Sequence, residues 1–90
     1  MPETFEHFRD HALAQGFSEV LERRWQPSQV VPLHTHPFAA NALLTQGEMW
    51  LTVDGQTRHL QAGERFELAA DVPHEERYGA DGAVYWVARR

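Results

Sequence analysis

Apolar residues recur along this chain at two different periods, and the change falls at Gly16. Before it, Phe5, Phe8 and Ala12 stand at i, i+3 and i+7 with Leu13 beside them, while Glu6, Arg9 and Asp10 take the opposite face. That spacing gathers the apolar side chains on one stripe, and a glycine is a common C-terminal stop. It therefore predicts a short amphipathic helix over the first fifteen residues, ended at Gly16. Beyond Gly16 the period becomes two. Phe17, Leu21 and Trp25 lie on one side of an extended segment, with Glu22 and Arg24 on the other. Met49, Leu51 and Val53 alternate with Trp50 and Thr52, and in Ala83 to Arg89 the residues Val84, Trp86 and Ala88 alternate with Tyr85 and Val87. Successive side chains of a strand point to opposite faces, so each of these runs predicts a strand with two distinct faces.

Turn-forming residues divide this second region every eight to twelve positions: Gln26-Pro27-Ser28, Gln46-Gly47, Asp54-Gly55, Ala62-Gly63 and Gly79 to Gly82. Short strands at that interval predict an all-β sandwich or barrel. The sharpest hairpin runs from Met49 to Leu60 around Asp54-Gly55, a pair that accepts the positive φ angles a two-residue turn demands. No internal repeat, low-complexity stretch or linker interrupts the chain. The expected organisation is one domain, with an N-terminal helix over 1–16 and a β-barrel over 17–90.

Ninety residues make a small domain, which buries a modest fraction of its surface and commonly needs a disulfide, a metal or a partner subunit to hold it. There is no cysteine, which excludes disulfides, thiolate zinc sites and a cysteine nucleophile. There is no lysine either, which excludes Schiff-base chemistry and the phosphate-binding lysine of a P-loop. Neither Ser18 nor Ser28 sits in a Gly-x-Ser-x-Gly elbow. The net charge is −5 and the eight arginines are scattered, so no nucleic-acid partner is expected. No apolar run approaches a membrane span, and Met1 to Glu6 has neither the basic nor the apolar part of a signal peptide; a cytoplasmic protein without membrane contact is expected. The small core and the many strand edges suggest a homodimer.

Six histidines remain as the unusual feature. In His34-Thr35-His36, two imidazoles at i and i+2 on a strand would share a face with Cα atoms roughly 6–7 Å apart, close enough to converge on one ion. His74 follows thirty-eight residues after His36, on what should be another strand. A divalent metal on these three would tie distant strands together and so supply the missing staple. His7 and His11 stand at i and i+4 on the helix but enclose Phe8-Arg9-Asp10, without the glutamate of a zinc-protease helix, and are expected in solvent. His59 is expected on the surface, and Glu75-Glu76 as an exposed acidic pair.

These residues resemble the cupins, small β-barrels of the jelly-roll type. His34-Thr35-His36, Gly47, Gly63 and His74 stand at the spacings of the two cupin motifs, and the resemblance covers about residues 25 to 89. It implies one divalent metal (Fe, Mn, Ni, Zn or Cu) held by His34, His36 and His74, and a fold of cupin-type jelly-roll barrel with a short N-terminal α-helix. The chain departs from the family pattern at several points. The motif glutamate is replaced by Ala40, with Asn41 next to it; the proline and glycine of the second motif are Ala69 and Asp71, and its final asparagine is Tyr78. The upstream glycine is missing from Pro27-Ser28-Gln29. Without the glutamate, a dication on three neutral imidazoles keeps its full charge and more open positions, which favours an anionic, oxygen-rich ligand such as a hydroxy- or keto-acid. The implied function is to bind or convert such a metabolite, as a dioxygenase or isomerase; the alternative is a non-catalytic ligand-binding or sensor module. Glu76 is the candidate fourth ligand or general base and Tyr78 a candidate phenol donor, while Phe38 and Asn41 are candidate contacts to the small-molecule ligand.

Overall fold

In the computed structural model, which describes residues 3–90, the helix α1 spans Phe5–Ala14. The Thr4 hydroxyl accepts a hydrogen bond from the His7 amide at 3.1 Å, satisfying one of the donors that a helix start leaves unpaired. At the other end the Phe17 amide donates to the Ala12 carbonyl and the Gly16 amide to the Leu13 carbonyl, a Schellman turn that closes the helix where the sequence period changes. Met1 and Pro2, the start of the expected helix, lie outside the described residues. Phe8 and Ala12 are buried, whereas Leu13, expected on the same stripe, is 47% exposed. One residue further round the helix than Ala12, it has turned away from the sheet.

Six strands follow: β1 Glu19–Trp25, β2 Val30–His34, β3 Ala40–Val53, β4 Gln56–Gln61, β5 Arg65–Leu68 and β6 His74–Arg89. All pairings are antiparallel. The long strands β3 and β6 run side by side at the centre, and each changes its outer neighbour along its length. The end of β6 pairs with β1 and the start of β3, which pairs with β5. The start of β6 pairs with β2 and the end of β3, which pairs with β4. The sheet is thus two four-stranded halves that share β3 and β6. Leu44, Met49, Leu60, Phe66, Tyr78 and Val87 join both halves into one core.

Two expected turns are not turns. Gln46-Gly47 lies within β3 and Gly79 to Gly82 within β6, so the last strand starts at His74 rather than Ala83. The register shifts here: Gly47 faces Ala83 while Met49 faces Tyr78, so β6 passes residues 79–82 where β3 passes Glu48 alone. A bulge of this kind bends the strand that carries it, and here it lies at the junction of the two halves. Close approach requires the glycines. A Cβ on Gly47 would overlap the Gly82 carbonyl oxygen, and one on Gly82 would come within 2.5 Å of the Trp25 carbonyl oxygen. The other turn residues act as expected; Asp54 and Gly55 both take positive φ and join Val53 to its partner Gln56.

Alternation along β6 sorts its two faces. Tyr85 and Val87 enter the main core, while Trp86 and Ala88 face outward beneath α1. The Trp86 ring meets Phe5 and Phe8 at 5.7 and 5.9 Å, so the helix covers the outer face of the half-sheet that contains β1. Among the described residues, no helix is long and apolar enough to cross a membrane.

Candidate metal centre

His34 is the last residue of β2 and His74 the first of β6, and the two are direct partners across the ladder. His36 is not on the strand as expected. Beyond His34, β2 has no partner, because β6 begins at His74; the chain leaves the sheet and brings His36 in from the loop before β3. The Asp71 amide, donating to the His36 carbonyl at 2.9 Å, holds that loop. Ring centroids are 4.2 Å apart for His34 and His74, 4.8 Å for His36 and His74, and 5.9 Å for His34 and His36. One ligand-capable nitrogen from each ring lies within 4.8 Å of the others. The elements so gathered are already hydrogen-bonded neighbours, so an ion there would clasp adjoining strand ends rather than tie distant strands.

Each Nδ1 faces a backbone carbonyl two residues away: His34 to Pro32 at 2.8 Å, His74 to Val72 at 2.9 Å and His36 to Phe38 at 3.3 Å. A carbonyl oxygen only accepts, so each neutral ring carries its proton on Nδ1 and keeps the Nε2 lone pair free. This is the tautomer a metal ligand needs, with the outer hydrogen bond fixing ring orientation. His36 also lies flat on Phe38, centroids 4.1 Å apart and planes within 3°. Burial holds the His36 pKa below the ordinary imidazole value; the Phe38 carbonyl opposes this shift, and the neighbouring His74, His34 and Arg89 add to it.

The three rings open on a cavity of about 210 Å³. Ala40 stands on its wall where the family pattern carries a glutamate, so a methyl group takes the place of a carboxylate. Glu76, on the same face of β6 as His74, is also on the wall and only 6% exposed, which corrects the expectation of an exposed pair; Glu75 alone is exposed. Its oxygens do not belong to the three-nitrogen group. Tyr78 is behind the wall rather than on it, stacked on Trp25 at 4.8 Å and donating its hydroxyl proton to Glu76 Oε1 at 2.9 Å. Burial above all, with Tyr85 and Glu76 adding to it, pushes the Tyr78 phenol far above its usual range. Tyr85 lines the cavity, its phenol pushed up to about 12, again chiefly by burial. Phe38 lines it too. Asn41 does not: with Ala40 inward, strand alternation turns Asn41 toward β5, where its amide donates to Glu67 at 3.3 Å.

The sequence reading missed two arginines on this wall, Arg23 and Arg89. Alternation would have found both, since Arg23 shares a face with Leu21 and Trp25, and Arg89 shares one with Tyr85 and Val87. The remaining histidines stand apart. His7 and His11 are exposed on α1, and His59 stacks on Trp50 at 4.6 Å and meets Glu48 at 3.1 Å on the outer face.

A bent sheet of shared long strands, with a three-histidine cluster in its cavity, defines a small jelly-roll β-barrel protein. The family model of the cupin domain matches residues 21–88, and the chain belongs to the cupin family. Solved structures share the fold. An RmlC-like cupin from Shewanella frigidimarina is 22% identical with a TM-score of 0.66, the match covering 79% of this chain and 66% of that one. KdgF from a Halomonas species is 18% identical with a TM-score of 0.68, covering 78% and 67%. An oxalate decarboxylase variant from Bacillus subtilis is 21% identical with a TM-score of 0.70, covering 78% of this chain but 20% of that chain. No curated protein sequence matches this one at a significant level.

Proposed function

We propose that this cupin holds one divalent metal ion through His34, His36 and His74 and binds a small oxygen-rich anion at it. The observation that carries this is the common hydrogen-bond pattern of the three rings, each Nδ1 against a carbonyl and each Nε2 left free. Three neutral imidazoles suit Zn, Cu, Fe or Ni, and the metal would supply a Lewis-acidic centre for the ligand's oxygens. Ala40 in place of a carboxylate leaves the ion's charge undiminished, which favours an anion. Oxalate, the substrate in the name of one structural neighbour, is of that chemical type.

Within the cavity, Phe38 packs beside His36 and keeps its ring in place. Among the described residues Glu76 is the one carboxylate on the wall, two residues from His74, and is the group available to hold or move a proton on a bound ligand. An enzymatic reading, dioxygenase or isomerase, rests on that residue. The non-catalytic binding or sensor reading rests on Tyr78, whose bond already occupies one Glu76 oxygen. A homodimer is part of the proposal.

The test is metal analysis after loading with each candidate ion at pH 7.5. One equivalent per chain is expected in the wild type and none in His34→Ala and His74→Ala. A wild-type protein that accepts no ion overturns the proposal.

A further inference from the structure

The cavity carries arginine side chains in an acidic protein. The chain as a whole carries −5, yet among the described residues the wall holds two arginines, Arg23 and Arg89, and one carboxylate, Glu76. An arginine on a concave wall concentrates its field on the ligand space and favours an anion there.

The two arginines differ in what they are free to do. Arg89 is committed: Nη1 donates to Glu19 at 3.0 Å, and the guanidinium lies 4.6 Å over Phe38. Arg23 has no ion pair and no hydrogen bond among the described residues. Trp25 supports it from one side, the guanidinium carbon lying 4.9 Å from the ring centroid. Its neighbour Arg24 points to the other face of β1, in solvent, and pairs there with Glu22 at 3.1 Å. The strand therefore presents one arginine outward with a counter-ion and one inward without. Partly desolvating an unpaired charge costs stability, so the protein's own fold does not account for the inward one. A planar fork of five donors resting on an indole is the geometry that receives a carboxylate in two parallel hydrogen bonds.

Arg23 sits on β1, opposite Tyr85, in the half-sheet that does not carry the β2–β6 pair of His34 and His74. We infer that Arg23 anchors a carboxylate of the ligand away from the histidines, so that the ligand is a small organic acid with metal-chelating oxygens at one end and a second anionic group at the other. This rests on the metal-site reading above and adds to it the ligand's second charge.

The test compares wild type, Arg23→Gln and Arg23→Lys, each loaded with zinc and checked for metal content. Calorimetric titrations use the dicarboxylates from malonate to adipate and, separately, acetohydroxamate, a chelator that binds a metal as a monoanion and carries no second anionic group. The best dicarboxylate should bind Arg23→Gln about tenfold or more weakly, with Arg23→Lys between the two, as expected for loss of a charge-assisted bidentate pair. Acetohydroxamate affinity and zinc content should be unchanged. Equal dicarboxylate affinity in wild type and Arg23→Gln overturns the inference, as does a parallel loss of acetohydroxamate binding, or a wild type that binds none of the series. If wild type takes up no zinc, the metal reading fails by itself. The same titrations on metal-free protein then decide the role of Arg23, a loss confined to Arg23→Gln supporting it and equal affinity overturning it.

Discussion

His34 and His74 face each other across the β2–β6 ladder with ring centroids 4.2 Å apart, and each donates Nδ1–H to the carbonyl two residues before it. The two strand ends therefore present matched Nε2 lone pairs, and His36 completes the set from the loop. A proton competes with a metal for that one free nitrogen. Metal bound at neutral pH is thus expected to be released as pH falls through about 6 to 5, where imidazoles ordinarily charge. Dialysis against buffers of stepped pH, followed by metal analysis, measures it; occupancy independent of pH over that range would contradict a three-imidazole site.

Acid should also weaken the metal-free protein through His36. Its folded-state pKa is lowered, chiefly by burial, so between that value and the ordinary one near 6.5 the unfolded chain binds more protons than the native one. The native state then loses stability as pH falls through this window and regains it above about 6.5. Denaturant midpoints of wild type and His36→Gln, taken across pH 5 to 7.5, should converge as the wild type loses its advantage; parallel curves would show that His36 plays no part.

The alkaline side is governed by the chain's two tyrosines, Tyr78 and Tyr85. Both phenols are raised by burial, Tyr85 to about 12 and Tyr78 further. An unfolded tyrosine ionises near 10, so above that pH the native state binds more protons than the unfolded one and loses stability as pH rises. Tyrosinate absorbance should stay low in the native protein at pH 10.5 and appear together with loss of structure. Free titration of one tyrosine near 10 in folded protein would contradict the buried placement.

Removing the Tyr78 hydroxyl leaves a buried Glu76 oxygen without its donor. Tyr78→Phe is expected to cost about 1–3 kcal/mol, the price of an unsatisfied buried polar group. Adding Glu76→Gln to it should recover part of the loss, because a neutral amide is cheaper to bury than an unpaired carboxylate. Urea unfolding of the two single variants and the double variant checks both statements, and a full-cost double variant would count against a direct Tyr78–Glu76 coupling.

Among the described residues, strand β2 is paired on one side only, with β6, and carries Val30 and Leu33 at 62% and 67% exposure. An apolar, unpaired edge is a surface that a second copy of the chain can cover. Light scattering is expected to give twice the 10.4 kDa of one chain, and Val30→Glu combined with Leu33→Glu to give the monomer. A wild type that runs as a monomer at high concentration removes the dimer.

Much of this architecture was legible in the residues. The change of period at Gly16 separated helix from sheet because the two backbones repeat differently, and Asp54-Gly55 marked its hairpin because positive φ is a local demand. The glycines at 47, 79 and 82 misled for a related reason. Glycine reports that the backbone must bend or approach another chain segment closely, but not whether a strand ends there. Here each strand continues through a bulge. His34 and His74 were found from type and spacing, while Arg23 was passed over because its charge was counted over the chain rather than assigned to a face.

By itself the sequence determined that, with no cysteine and six histidines, imidazole is the candidate nitrogen ligand for a metal, and it determined which segments alternate. The tertiary structure alone decided how these meet. His36 reaches the site from a loop, Glu76 is buried under the Tyr78 hydroxyl, Asn41 faces away, and an unpaired Arg23 turns inward. Each of these depends on register between strands far apart in the chain, and a strand carries no record of its partner's register in its own alternation. Shifting that pairing by one residue would turn the same histidines out to solvent.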